Sequence, residues 1–361
     1  MSERVLVCLS GGADSTVAAL LLREAGAQVE GVTFWFWSFP GAPDFGGGTR
    51  CCSLDQAALS AAQLRIPHRT IDASGTFGRV VVDPFLAALR AGRTPNPCGA
   101  CNRFLRFDLA LQIARREGFD RVATGHHVRL ARDTAGRWQV HRGSDPGKDQ
   151  SYFLYGLEHE ILGRLVFPVG GMSKKDVFDI ARRHGLSAGN LPESQDLCFA
   201  KDGSIDFLFD SREFTPGPIR DLAGAQLGMH EGLARYTIGQ RRGLGISSLR
   251  PLYVVAVDVE QNTLIVGGEE ALYATGLEAG AANFLCSIPD PDTPVLAKIR
   301  YRSPAVPARF VPLSGDRFAL LFDAPQRAVT PGQIAALYDG DRLLGGGIIE
   351  RALHEGNPGC S

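Results

Sequence analysis

The sequence predicts an N-terminal α/β domain with a parallel sheet, followed by a small linking domain and a C-terminal β-barrel. Three observations predict it. Apolar runs of strand length alternate with helical stretches as far as about Lys201. The first strand runs into Ser10-Gly11-Gly12-Ala13-Asp14-Ser15, a glycine-rich turn that opens a helix. Beyond about Gly203 the chain breaks into short alternating runs separated by Gly, Pro, Asp and Asn, which are all-β signals.

In order, Arg4 to Leu9 reads as strand, Thr16 to Ala25 as helix and Val29 to Trp37 as strand. Asp55 to Leu64 follows as helix, His68 to Ile71 as strand, then Phe77 to Ala91 and Phe104 to Glu117 as helices and Arg121 to Thr124 as strand. Lys174 to His184 reads as a basic amphipathic helix near the close of this domain. Pro40 to Gly48 has no periodicity; it reads either as a plain surface connection or as a flap that orders on substrate. Tyr253 to Val257, Thr263 to Val266, Ala297 to Tyr301, Ala319 to Phe322 and Ile334 to Tyr338 read as strands. These signals divide the chain into a catalytic α/β domain at 1–203, a linking domain at 204–270 and a barrel at 271–361.

A chain of 361 residues with 44% hydrophobic and 21% charged content can fill two or three cores. The 43 glycines and 21 prolines have no period, which excludes a collagenous or disordered chain. A net charge of -1 announces no polyanionic partner, so any nucleic-acid site must be a local basic face. The first ten residues lack a secretory cleavage pattern, and no stretch approaches the ~20 apolar residues of a membrane helix. The expectation is a soluble, cytoplasmic protein with no membrane partner. There the eight cysteines, Cys8, Cys51, Cys52, Cys98, Cys101, Cys198, Cys286 and Cys360, would stay reduced, and any cluster needs catalysis or metal binding to explain it.

Two segments carry chemistry. In Ser10 to Ser15 the glycines let backbone N–H groups approach a phosphate, and the following helix presents its positive end. The loop lacks the Gly-Lys-Ser/Thr ending of loops that transfer a terminal phosphoryl group. In a parallel sheet ligands collect at the carboxyl ends of the strands, where Ser10–Ser15 and Gly125–His127 both fall. The second segment, Thr94-Pro95-Asn96-Pro97-Cys98-Gly99-Ala100-Cys101-Asn102, sets two thiols three residues apart ahead of Arg103 and Arg106. Cations and a helix start favour thiolate there, and the pair is open to zinc, a redox couple or iron–sulfur ligation. Cys198, in Pro192-Glu193-Ser194-Gln195-Asp196-Leu197-Cys198-Phe199, reads alone as a packed core thiol or a third reactive one.

The glycine loop resembles the PP-loop of ATP pyrophosphatases, of the adenine nucleotide alpha hydrolase-like fold. Further motifs follow in order: Ala123-Thr124-Gly125-His126, Lys148-Asp149-Gln150-Ser151-Tyr152-Phe153, Tyr236-Thr237-Ile238-Gly239-Gln240-Arg241, and Tyr338-Asp339-Gly340-Asp341 with Gly345-Gly346-Gly347. With the two cysteine segments they resemble the bacterial tRNA-specific 2-thiouridylase family over nearly the whole chain.

The resemblance implies an ATP-dependent enzyme that adenylates O2 of the wobble uridine of tRNA and replaces it with sulfur, releasing AMP and pyrophosphate. It implies ATP with magnesium, held by Cys8, Leu9, Ser10, Gly11, Gly12, Ala13, Asp14 and Ser15, with Phe34 and Gly125 bordering the adenosine. Phe34 stands where the family usually has methionine. Asn96, Pro97 and Cys98 would meet the target base, and His126, Lys148, Asp149, Gln150, Tyr301, Arg302 and Gln333 the tRNA. Cys101 and Cys198 would be catalytic, Cys198 carrying a persulfide and Cys101 resolving it as a disulfide, with sulfur from a donor protein or sulfide. Many family members have aspartate where this chain has Cys98, so Cys98, Cys101 and Cys198 instead resemble the three-thiolate set of a 4Fe–4S cluster with one iron open to sulfide, and the expectation is that such a cluster serves in place of the persulfide route. Arg103, Arg106, Lys174, Lys175, Arg241 and Arg242 read as phosphate contacts or as a solvated face. Cys51 and Cys52 fit a family pattern without a known role, and Cys286 and Cys360 read as incidental. Two rivals, an amide-forming PP-loop synthetase and a non-catalytic RNA-binding protein, have no use for the paired thiols.

Overall fold

The computed structural model describes residues 2–37, 54–191, 197–200 and 204–354. The Pro40–Gly48 loop, Cys51, Cys52, Pro192–Asp196, Lys201 and Cys360 lie outside the described residues. The chain forms two compact units, one of residues 1–82, 97–203 and 341–344, the other of 83–96, 204–340 and 345–361.

The first unit is a five-stranded parallel sheet. Its elements are β1 (Arg4–Cys8), α1 (Ala13–Glu24), β2 (Gln28–Trp35), α2 (Leu54–Leu64), β3 (His68–Asp72) and α3 (Ser74–Phe77). After α4 (Asp83–Arg90), which belongs to the other unit, come α5 (Pro97–Cys101), α6 (Phe107–Glu117), β4 (Arg121–Ala123), the hairpin β5 (Val128–Arg132) and β6 (Trp138–Arg142), β7 (Leu165–Val166) and α7 (Lys174–Arg183). The sheet order is β3-β2-β1-β4-β7, so β1 is central. Both faces of β1 are buried. Val5, Val7 and Leu9 join one core with Val17 and Leu20 of α1, Ala57 and Leu64 of α2, and Val177 and Ala181 of α7, while Leu6 and Cys8 alternate to the opposite side. Burying such a β1 side chain stabilises the unit by about 1.5–3 kcal/mol.

Two helices expected as single pieces are broken. Phe77 to Ala91 divides into α3, a wide π-type turn at Gly78–Val82, and α4. The start of the helix expected at Phe104 is a second wide turn, Asn102–Arg106, between α5 and α6. Such turns carry one extra residue per loop of hydrogen bonding, which composition does not signal. The hairpin β5–β6 was not foreseen, although Asp133 accepts from the N–H groups of Ala135 and Arg137 to form its turn.

In the second unit β8 (Gly217–Asp221), β9 (Gln226–His230), β10 (Tyr253–Asp258) and β11 (Thr263–Gly267) make a four-stranded sheet around Ile219, Leu244, Val254, Leu264 and Val266. The remaining strands are β12 (Tyr273–Phe284), β13 (Pro294–Lys298), β14 (Val306–Pro312), β15 (Phe318–Arg327), β16 (Ile334–Asp339) and β17 (Arg342–Leu353), in the order β12-β15-β14-β13-β16-β17. Pairing of β12 with β17 closes them into a barrel with no free edge. The strand expected at Ala297–Tyr301 lies earlier, at Pro294–Lys298, because the chain turns at Arg300, whose guanidinium donates to Ile238 O, Ala328 O and Thr330 Oγ1 at 3.2, 2.8 and 2.7 Å. The Gly345–Gly347 run lets β17 press on β12: a Cβ at Gly345 would lie 2.2 Å from Asn283 O. Among the described residues no helix is long and apolar enough to cross a membrane.

Candidate active site

β1 delivers the glycine loop to the carboxyl edge of the sheet. Ser10 N–H donates to Ser15 Oγ at 3.1 Å, Ser15 Oγ to Gly12 O at 3.1 Å, and Thr16 Oγ1 contacts both Gly12 O and Ser60 Oγ. These bonds hold the turn without using the first-turn amides of α1, which begins at Gly12 with no side-chain cap. An uncapped helix start beside glycines fits the phosphates of a nucleotide. Gly11 has φ +82°, and a Cβ there would lie 2.8 Å from Gln56 Cβ and 2.9 Å from Ala57 N, so only glycine serves. Gly125, just past β4, presses on the same loop: its Cβ would lie 2.5 Å from Ser15 N.

Asp14 sits in the first turn of α1. Its Oδ1 accepts from His127 Nε2 at 3.0 Å, and Lys174 Nζ donates to Oδ1 and Oδ2 at 2.8 and 2.7 Å. Burial works to raise the Asp14 pKa, but the hydrogen bond from His127 and the charge of Lys174 outweigh it and hold the carboxyl below the usual range. Lys174 is fixed by its backbone. Ser173 caps α7 and forms a reciprocal capping box with Asp176, while Lys174 N–H donates to Asp145 Oδ2 at 2.9 Å. Its side chain is 12% exposed, so it is not on the solvated face where the sequence grouped it with Lys175, which is 84% exposed and pairs with Asp179.

Beyond the loop, Phe34 stacks on Phe36 and Phe36 on Phe77. The Arg106 guanidinium lies 5.1 Å from the Phe36 ring and bears electrostatically on Cys8 and His126. Burial pushes the Cys8 thiol up to about 11 against the pull of Arg106, so Cys8 stays protonated. Burial, then Arg106, pushes His126 down to about 3, so its ring is neutral, with Nδ1 2.7 Å from Thr124 Oγ1 and the ring between Phe107 and Phe167. Arg103 lies over Phe104 and Tyr155.

The thiols differ in exposure. Within α5, Cys98 is exposed and Cys101 buried; Cys198 is intermediate, next to Phe199, which packs edge-on against Trp37 and Phe77. Cys286 is exposed. None of these forms a disulfide with another described cysteine. Among the described residues no three His, Cys, Asp or Glu side chains are gathered so as to hold a metal ion. Asp149, 4% exposed, accepts from the N–H groups of Gly143 and Ser151, and Gln150 Oε1 accepts from His127 N–H; Lys148 sits beside them, half-buried. This braces the chain that carries His126 and His127.

In the second unit Thr94 is tied to the barrel. Its N–H donates to Pro331 O at 2.9 Å, its O accepts from Gln333 Nε2 at 2.7 Å, and its hydroxyl meets that of Thr237. Asn96 follows two residues on. Tyr301 lies under Lys298 Nζ at 5.4 Å, and Arg302, Arg241 and Arg242 are exposed. Sequence reasoning placed Asp14 on the loop and Lys174 at a helix start but missed that folding joins them with His127.

Three family models match the chain in succession: a tRNA methyl transferase HUP domain over residues 3–202, a tRNA methyl transferase PRC-barrel domain over 205–268 and an aminomethyltransferase beta-barrel domain over 274–349. The chain is 44% identical over 362 aligned residues to the tRNA-specific 2-thiouridylase MnmA of Geobacter metallireducens, covering 98% of each chain. It is 43% identical to the protein of that name from Trichormus variabilis, covering 97% of this chain and 99% of that one. Identity at this level along both full lengths, with the glycine loop and the thiol segments on one α/β unit, shows that the chain belongs to the tRNA-specific 2-thiouridylase family.

Proposed function

We propose that the protein is an ATP-dependent tRNA-uridine 2-sulfurtransferase acting on the wobble uridine. One observation carries the reading: the uncapped start of α1 on a glycine loop lies in the same compact unit as the thiols of Cys98, Cys101 and Cys198. A nucleotide cradle explains activation of a poor leaving group, and thiols explain what replaces it.

The amides of Gly11 to Ser15 bind the triphosphate, and Phe34 and Gly125 border the adenosine. Magnesium, bound with ATP, would neutralise phosphate charge, and Asp14 is the carboxylate at the loop to hold it. Uracil O2 attacks the α-phosphorus, and the electron pair of the breaking bond leaves with pyrophosphate. The terminal sulfur of a Cys198 persulfide attacks C2 and AMP departs with the oxygen. The Cys101 thiolate then attacks the Cys198 sulfur, forming a Cys101–Cys198 disulfide and freeing 2-thiouridine. A persulfide-bearing donor protein recharges Cys198 after a dithiol reduces the disulfide. The alternative is a 4Fe–4S cluster on Cys98, Cys101 and Cys198, and no step is drawn through it.

Asn96, Pro97 and Cys98 face the flipped base, and His126, Lys148, Asp149, Gln150, Tyr301, Arg302 and Gln333 contact the anticodon arm. The working division is catalysis on 1–203, linkage on 204–270 and tRNA contact on 271–361, in the cytoplasm where tRNA is found. The test is release of pyrophosphate and formation of thiolated tRNA from cognate tRNA, ATP and a persulfide donor. Pyrophosphate release that depends on tRNA supports the reading, and silence with cognate tRNA overturns it.

A further inference from the structure

We propose that Lys174 is a catalytic residue that binds the β- and γ-phosphates of ATP and stabilises the departing pyrophosphate, with Asp14 and His127 as positioning residues that hold its ammonium at the loop. This rests on the adenylation read above.

A carboxylate in the first turn of a helix that receives a polyanion is adverse unless a cation cancels it. Lys174 supplies that cation from a different element. Its ammonium reaches both oxygens of Asp14, and the capping box and Asp145 fix where α7 starts, so its position is set by backbone. Phe178, one turn on, lies 4.9 Å from the ammonium and flanks its other side. A structural ion pair would need nothing more.

His127 is the second observation. It is 1% exposed, donates from Nε2 to Asp14, and its buried Nδ1 has no hydrogen-bond partner. Leaving such an atom without a partner is a cost found at working sites. It is tolerated here because the ring fixes the Asp14 carboxylate while Lys174 turns from it to an incoming phosphate. When the uracil O2–phosphorus bond forms and the phosphorus–bridging-oxygen bond breaks, the electron pair goes to pyrophosphate, whose added negative charge the ammonium offsets. The uracil N3 proton passes to solvent as the bond forms, which leaves the adenylated base neutral.

The probes are inorganic pyrophosphate, ATP and AMP, titrated calorimetrically into wild type, Lys174→Met and Lys174→Arg, with single-turnover pyrophosphate release on tRNA. Lys174→Met should weaken pyrophosphate and ATP binding about tenfold or more and slow release about 10²-fold, while AMP binding is unchanged. Lys174→Arg should recover part of the pyrophosphate affinity. Equal losses for AMP and pyrophosphate, or an unaltered rate, would overturn the assignment. If Lys174→Met does not fold, the Asp14→Asn/Lys174→Met double variant removes both charges, and the same ratio of pyrophosphate to AMP affinity decides. A wild type that binds pyrophosphate in a Lys174-dependent way yet releases none with tRNA would sink adenylation and leave the phosphate contact standing.

Discussion

Gly125→Ala tests how closely the strand after β4 supports the loop. The new methyl would lie 2.5 Å from Ser15 N, 2.6 Å from Asp14 C and 2.9 Å from Asp14 Cβ. The closest of these is about 0.9 Å short of the 3.4 Å at which ordinary contact begins. Both sides are backbone, and the loop side is fixed by Ser15 and Thr16 bonds to Gly12 O. A strain of this kind costs about 1–3 kcal/mol. It also moves the first-turn amides of α1 by a good part of an ångström, and a 1 Å misplacement of a binding group can cost about 10²-fold in rate. Urea unfolding gives the stability term and pyrophosphate release at varied ATP the functional one. Gly12→Ala is the control, since its Cβ meets only Ser10 Oγ, at 3.6 Å, and so leaves stability nearly unchanged. A Gly125→Ala protein with the wild-type urea midpoint and ATP dependence would refute the close packing of strand end on loop.

Other outcomes follow from the same geometry. His126 titrates near 6.5 in the unfolded chain and near 3 when folded, so stability is full above pH 6.5 and is lost as pH falls. By pH 5 the loss reaches about 2 kcal/mol, and comparing urea midpoints of wild type and His126→Gln at pH 5 and 7.5 should show the slope flattened in the variant. Cys198→Ser should still release pyrophosphate with tRNA but yield no thiolated product; if both activities vanish together, the thiol is not confined to sulfur delivery. Arg300→Ala strips three acceptors of one donor group and should destabilise the second unit by about 3 kcal/mol, read by thermal unfolding monitored on that unit.

The parallel core was legible because β1 is a continuous apolar run after Arg4, β2 carries Val29, Val32, Phe34 and Trp35, and helical stretches separate the strands. The closed barrel was legible only as a class. β12 and β17 are twelve residues each, and glycines and a bulge at Ala281, with φ +49°, break their alternation. The loop announced itself in six consecutive residues. The Asp14–His127–Lys174 group did not, because its members lie 113 and 160 positions apart and only folding joins them. Asp149 was read as an RNA contact from its motif, and folding shows that its Oδ1 also accepts from two backbone N–H groups, which the motif does not signal. Arg106 was read as a phosphate contact or part of a solvated face, and the wide turn that carries it toward Phe36, Cys8 and His126 has no signal in composition.

The first unit borrows residues 341–344, where Arg342 and Leu343 pair with His141 and Val140 of β6 and Asp341 meets Arg129 and His141. These four residues leave the ribosome long after β6, which ends at Arg142, and after α7, which ends at Arg183. A nascent chain therefore carries the open edge of the β5–β6 hairpin through most of its synthesis. The α/β half cannot finish before the barrel half is almost made, so a chain stopped after residue 203 should keep its sheet yet expose a sticky strand. Completion of the first unit waits on residues that follow β16 of the second, which ties the closing of the hairpin edge to the making of the barrel strands.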